Sequence, residues 1–218
     1  MPGPKPAYPD HMAARQEPRV DASAFPEAFR VAVAQLRSAR LRPEVLCEEM
    51  PAPQRIAPFA SALSADVTLD GEDIGTGRLV LLHDPAGNDA WEGAFRCVAY
   101  TRAEIDPEMA NDPLLAEVGW SWLTEALTAH GAAFLASSGT VTKVSSESFG
   151  SMRDEDTSAQ LEIRASWTPV PGRTGDGDLD LGPHVEAWGE LLCTASGLPP
   201  LPEGVAPLPS RRGQRGRG

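Results

Sequence analysis

Side chains that bind metals or form disulfides are scarce in this sequence. Its 218 residues include 3 cysteines and 4 histidines. Cys47, Cys97 and Cys193 are far apart and never form a Cys-x-x-Cys pair, so no disulfide framework is expected. Isolated cysteines of this kind are typical of a reducing compartment, and we expect a cytoplasmic protein.

Metal, nucleotide and nucleophile motifs are also missing. His83, His130 and His184 each lack a second ligand three or four residues away, so no zinc or iron site is predicted. Gly75 and Gly77 open a strand, which excludes a dinucleotide-binding turn. The sequence contains neither a phosphate-loop lysine nor a Gly-x-Ser-x-Gly elbow. It therefore predicts no catalytic residue, metal ligand or cofactor, and favours a protein that is not an enzyme.

Long hydrophobic runs are absent as well. No stretch approaches the ~20 apolar residues that a membrane-spanning helix needs. Residues 1–20 lack the apolar core of a signal peptide, and Met12 is a second candidate for the true start. We expect no membrane association.

Positive charge is limited and unevenly placed. Lysine and arginine number 19 against 31 acidic residues, a net charge of −12. An acidic protein repels nucleic acid over most of its surface. An Arg/Gly-rich tail can still hold RNA weakly and without sequence preference. The residues predicted for such a contact are Arg211, Arg212, Arg215 and Arg217.

Both ends have a composition typical of disorder. Residues 1–20 are rich in proline and charge, and residues 198–218 are proline-rich and then rich in arginine and glycine. Neither end can bury enough apolar surface to fold. The sequence predicts one domain over residues 21–197.

Limited proteolysis is expected to trim the chain to roughly residues 21–197, because disordered tails are cut first. Mass spectrometry of the protected fragment checks this. Protection of the arginine tail would contradict the prediction and would show that the tail docks on the acidic domain.

The clearest secondary-structure signal is a strand from Ala159 to Trp167. Every odd-numbered residue in it is apolar and every even-numbered residue is polar. This alternation is typical of an antiparallel sheet that is covered on one side. Other strands are predicted over residues 45–49, 63–70, 77–83, 91–101 and 132–144, with a hairpin loop of more than two residues at 70–73 and a turn at 84–89.

Three helices are predicted around these strands. The first covers residues 24–40, and the last is an amphipathic helix that ends at Gly197. The second begins with the cap Asp112 and ends at Gly131. With the short strand 45–49 left aside, the order is α-β-β-β-α-β-β-α. It predicts an α+β domain with a single antiparallel sheet of five to six strands and helices packed on one face.

The second predicted helix is apolar around more of its circumference than one sheet face can cover. Trp120 and Leu127 lie about 120–140° from the direction of Leu115. Two interpretations stay open. Another helix of the same domain covers them, or they form a protein interface in which aromatic residues supply binding energy.

Three segments carry a resemblance to a known family: LRPEVLCEEMPAPQRIAPFASALSADV, GTGRLVLLHDPAG and WEGAFRCVAYTRAEID. They resemble an actinobacterial family catalogued as a domain of unknown function. The resemblance covers most of residues 24–170, and it implies an actinobacterial cytosolic protein without an assigned activity. The element order is also similar to the secretion-chaperone-like fold of small, acidic, often dimeric proteins that bind segments of other proteins, a likeness of topology alone.

These observations predict a non-enzymatic binding or adaptor protein, chaperone-like and dimeric, with a protein partner or a second copy as its ligand. Two alternatives remain. One is an enzyme whose dispersed site a single sequence does not reveal, and the other is an RNA-associated factor that acts through its arginine tail.

Overall fold

Six strands and four α-helices form the part of the chain that the computed structural model describes, residues 25–152, 157–172 and 179–200. The strands are β1 (Val45–Met50), β2 (Phe59–Leu69), β3 (Glu72–Asn88), β4 (Gly93–Ile105), β5 (Phe134–Ser146) and β6 (Ser158–Pro169). The helices are α1 (Glu27–Ser38), α2 (Pro107–Ala110), α3 (Leu115–Ala129) and α4 (Gly182–Ala195).

All six strands join one antiparallel sheet in the order β1-β2-β3-β4-β6-β5. Strand β6 lies between β4 and β5, so β1 and β5 are the two edges. The predicted α+β class, the single antiparallel sheet of five to six strands and the order of the elements are confirmed.

Across most of the sheet, the odd-numbered residues of the strands point to one face and the even-numbered residues point to the other. The register pairs odd residues with odd residues across the strands, as in Gly77 with Thr101 and Thr101 with Ile163. The odd face is buried, which confirms the predicted alternation in β6. Its odd-numbered residues, all at most 4% exposed, are Ala159, Leu161, Ile163, Ala165 and Trp167.

The long helices pack on the odd face. Helix α4 lies over the middle of the sheet, and α3 lies over β5 and β6, with Gly119 near Val141 and Ile163. Helix α1 is held by aromatic contacts. The ring of Phe29 lies 5.9 Å from that of His83 and 5.8 Å from that of Phe59.

Helix α4 is the centre of the core rather than an amphipathic surface helix. Nine of its 14 residues are buried, because α1 and α3 flank it above the sheet. It approaches β3 closely at Gly77, where a Cβ would lie 2.5 Å from Leu192 Cδ2. Only glycine leaves room for this contact.

The β2–β3 hairpin has a tighter loop than predicted. Asp70 and Gly71 form a two-residue turn with φ values of 52° and 91°. Both positions need positive φ in a type I′ turn, which Asp-Gly tolerates. Leu69 therefore pairs directly with Glu72. The turn predicted at 84–89 is also displaced, because β3 continues to Asn88 and the chain reverses between Asn88 and Gly93.

The second predicted helix corresponds to α3, and a separate short helix that was not predicted precedes it. Residues 107–110 form the short α2, and α3 begins at Leu115 rather than next to Asp112. The Asp112 carboxylate accepts a hydrogen bond from the Leu114 amide at 2.8 Å and so shapes the turn before α3. Gly131 follows the end of α3 as predicted, with φ of 69°.

Candidate functional site

The two predicted interface residues lie in different environments. Leu127 is 0% exposed inside the core, where the domain itself covers it. Trp120 is half-buried, and its ring atom Cζ3 lies 2.6 Å from the place that a Cβ at Gly139 would take. Trp120 therefore packs against the edge strand β5. A role in binding stays a prediction for Trp120, whereas Leu127 is not accessible in the single chain.

The predicted RNA-contacting residues, Arg211, Arg212, Arg215 and Arg217, lie outside the described residues, and so do residues 1–20 of the predicted N-terminal tail.

His83 and His184 are buried in the core, whereas His130 at the end of α3 is partly exposed. The Trp167 indole N–H donates to Nδ1 of His184 at 3.0 Å, and burial lowers the pKa of His184 to about 4. His83 stacks on Phe95 with ring centroids 4.1 Å apart, and burial lowers its pKa as well. His130 lies 3.7 Å from the Glu186 carboxylate. Among the described residues, no group of three or more potential ligands could hold a metal ion.

The thiols are poor nucleophiles. Burial raises the pKa of Cys97 to about 12 and that of Cys193 to about 12, and it raises the pKa of Cys47 to about 11. All three cysteines are free thiols. They remain protonated at neutral pH, and a protonated thiol attacks substrates weakly.

An open groove runs between α1 and the strands β1 and β2. One part, of about 530 Å³, is lined by residues such as Phe25, Val31 and Ala60. A second part, of about 560 Å³, lies beside Cys47. The lining residues bring no nucleophile together with a general base, and so they suggest no reaction.

The even-numbered face of the sheet is different, because none of the described long helices packs on it. In this register, apolar residues from four neighbouring strands form one row that runs across the sheet. Arginines and a tyrosine occupy the next two rows on one side of it. The apolar row is Met50, Ala62, Val80 and Val98. We call the following residues the central patch: Arg78, Val80, Val98, Tyr100, Arg102 and Arg164.

The central patch brings three arginines together on one face, with Glu162 among them. The guanidinium of Arg164 lies 5.3 Å above the Tyr100 ring, and the Tyr100 hydroxyl donates to Glu162 at 3.2 Å. Within the described part of the chain, Arg78 and Arg102 form no ion pair. Arg102 lies opposite Glu162 in the register and donates to the Gln160 side chain at 2.7 Å. Both arginines are exposed beside Val98, which is 36% exposed.

The buried side chain of Arg96 links three strands on this face. Arg96 is 7% exposed, and it donates to the Ala136 carbonyl at 2.8 Å and to the Ser166 hydroxyl at 2.7 Å. Further bonds reach the hydroxyls of Ser138 and Thr168. Burial lowers the pKa of Arg96, since these partners are neutral. The side chain thus ties β4 to β6 and β5, and is not available to a ligand.

Sequence reasoning missed the central patch. All of its residues except Arg102 lie in predicted strands, and the alternation from Ala159 to Trp167 assigned Arg164 to the polar face. The signal that could have found them is that Arg78, Arg102 and Arg164 all stand at even-numbered positions in or next to predicted strands. Their alignment depends on the register between strands, which a single sequence does not specify.

Comparison with known proteins identifies a family. A family model described as "Protein of unknown function (DUF3000)" matches residues 25–206. No curated protein and no solved structure matches the chain. Among the described residues, no helix is long and apolar enough to cross a membrane.

Proposed function

The chain belongs to the DUF3000 family, whose function is unknown, and we propose that it is a non-enzymatic adaptor or chaperone-like protein whose central patch binds a segment of another protein. The observation that carries the proposal is the set of three arginines around Val80 and Val98 on a sheet face that no described long helix covers. Val98 is 36% exposed there.

The chemistry of the patch indicates the partner. Guanidinium groups pair with carboxylates through planar, charge-assisted hydrogen bonds. The apolar row and the arginine-containing row are two residues apart along each strand, about 7 Å. A segment that presents apolar side chains to one row and acidic side chains to the other would match both. The partner is therefore a protein segment rich in both types.

A nucleic-acid ligand fits this face less well. Single strands bind by stacking bases on exposed aromatic rings. The aromatic side chain of the central patch is Tyr100, and the guanidinium of Arg164 already lies over its ring. The net charge of −12 also opposes the approach of a polyanion.

The proposal places the protein in the cytoplasm. All three cysteines are free thiols, and two of them are fully buried. A reducing compartment keeps such thiols unpaired. With β1 and the short α2 left aside, the element order is α-β-β-β-α-β-β-α, which supports a chaperone-like role by analogy of topology alone.

A peptide-binding experiment tests the proposal. We expect a fluorescent peptide of alternating leucine and glutamate to bind the full chain, and a matched leucine–lysine peptide to bind much more weakly. The double variant Arg78→Ala/Arg102→Ala should weaken binding of the acidic peptide by about tenfold or more, because each charge-assisted hydrogen bond contributes about 1.5–3 kcal/mol. Fluorescence anisotropy at two salt concentrations measures both effects.

The matched control is Arg30→Ala/Arg40→Ala, which removes the same charge from the helix side of the molecule. It should bind the acidic peptide like the wild type. Equal binding of both peptides, or no loss in the Arg78/Arg102 variant, would contradict the proposal. Tighter binding of a single-stranded oligonucleotide than of the acidic peptide would replace it with an RNA-associated role.

A further inference from the structure

The edge strand β5 is long, and after an irregularity between Leu135 and Ser138 it pairs regularly with β6 as far as Ser146. It has 13 residues, contains no proline and borders only β6 among the described strands. Its one charged residue is Lys143, whose ammonium group donates to the Asp112 carbonyl at 2.7 Å. Soluble proteins normally protect such edges with charges, prolines or very short strands.

The opposite edge shows those protections. Strand β1 has 6 residues, carries Glu48 and Glu49, and is followed at once by Pro51. The Glu49 carboxylate is bound to Arg37 of α1 at 2.6 Å, which holds a helix beside the strand. The regular part of β5, from Ser138 to Ser146, has fewer such protections than β1, which makes it the more accessible pairing surface.

Apolar side chains at the end of β5 and in the segment that follows it are exposed. Val144 at its end is 39% exposed, and the next segment contains Phe149, 73% exposed, and Met152, 52% exposed. The ring of Trp120 lies over Gly139 in the middle of the strand. Val144 lies on the even-numbered face and Trp120 on the odd-numbered face, so apolar side chains lie on both sides of this edge strand.

We propose that β5 pairs with β5 of a second copy of this chain, which joins two six-stranded sheets into one continuous antiparallel sheet. Charge favours a second copy as the occupant. With a net charge of −12, two copies repel each other unless they meet where the surface carries almost no charge. Residues 131–146 contain one charged side chain, Lys143, so two such edges meet without a like-charge clash between carboxylates.

Symmetry favours the same arrangement. A two-fold axis places the same surface of each copy against itself, and a strand that crosses such an axis is antiparallel to its mate. With an axis near Val141, both Trp120 rings lie on the same face of the joined sheet beside the seam, because each ring covers Gly139 two residues from the axis. The proposal does not depend on the central patch, whose residues lie on β3, β4 and β6.

The oligomeric state of the full chain tests this inference. We expect a concentration-dependent dimer in analytical ultracentrifugation. The double variant Thr140→Lys/Thr142→Lys places four charges near the axis and should be monomeric throughout the same concentration range. Thr140 and Thr142 are exposed, so the variant should keep the melting temperature of the monomeric fold. The control Thr76→Lys puts an exposed charge on the same sheet face at β3, and should dimerise like the wild type.

Tryptophan variants provide a second test. Trp120→Ala should weaken dimerisation by tenfold or more, whereas Trp122→Ala should leave it unchanged. Trp122 is also half-buried, but it lies about 200° around α3 from Trp120. A wild-type chain that is monomeric at every concentration would overturn the proposal. So would a dimer that persists in Thr140→Lys/Thr142→Lys, because the contact would then lie elsewhere.

Discussion

Replacement of Ile163 by glutamate is expected to unfold the protein or to lower its free energy of unfolding by several kcal/mol. Ile163 is 1% exposed, lies between Thr101 of β4 and Val141 of β5, and packs beneath α3 at Gly119. A carboxylate there would be buried without a partner, which is among the most costly single changes in a protein. Chemical denaturation followed by circular dichroism measures the loss.

The neighbouring position supplies the control. Glu162 lies on the even-numbered face, where it accepts a hydrogen bond from Tyr100 and pairs with Arg164 at 3.2 Å. Glu162→Gln keeps the shape and removes one charge, so it should cost under about 1 kcal/mol. Similar melting temperatures for the two variants would mean that the faces of β6 are assigned wrongly, and with them the sheet.

Acidification from neutral pH to about 4 should remove about 3 kcal/mol of stability through His184 alone. Burial lowers its pKa in the folded chain to about 4, from an ordinary value of 6.5. Below pH 6.5 the unfolded chain binds a proton that the folded chain refuses, so stability falls as pH falls and the loss is complete near pH 4. The shift of about 2.5 units corresponds to about 3 kcal/mol.

The variant His184→Asn isolates this contribution. Asparagine places an acceptor oxygen near the position of Nδ1, where it can receive the Trp167 indole N–H, and it does not titrate. Its stability should therefore depend less steeply on pH between 6.5 and 4 than that of the wild type, although it is less stable at neutral pH. Parallel pH profiles for the two proteins would show that His184 becomes protonated without cost.

The fold was predictable where the pattern of residues within one segment decides the structure. The alternation from Ala159 to Trp167 assigned each residue of β6 to a face correctly, since side chains point to opposite faces of a strand whatever surrounds it. Gly131 was recognised as the end of a helix because the left-handed conformation there is a property of the residue itself. The start of α3 was misplaced because Asp112 and Pro113 form a turn in the structure, a context that their identity does not distinguish from a cap.

The candidate site was predictable to a much smaller extent. The helical wheel selected Trp120 and Leu127 together, and only the packing of the described helices shows that Leu127 is covered while Trp120 stays half-buried. The central patch depends on the alignment of Arg78 with Tyr100 and of Tyr100 with Arg164. These are contacts between residues far apart in the chain, and no periodicity in one segment reports them.

The sequence by itself determined the fold class, α+β with a one-sided antiparallel sheet, because the two periodicities follow from each residue and its near neighbours. Only the tertiary structure decided which strand lies at the edge, since β6 inserts between β4 and β5. It also decided that the arginines meet on the uncovered face. Both outcomes follow from strand pairing over long separations, where register and order are set by the packing of α3 and α4 on the odd-numbered face rather than by local propensity.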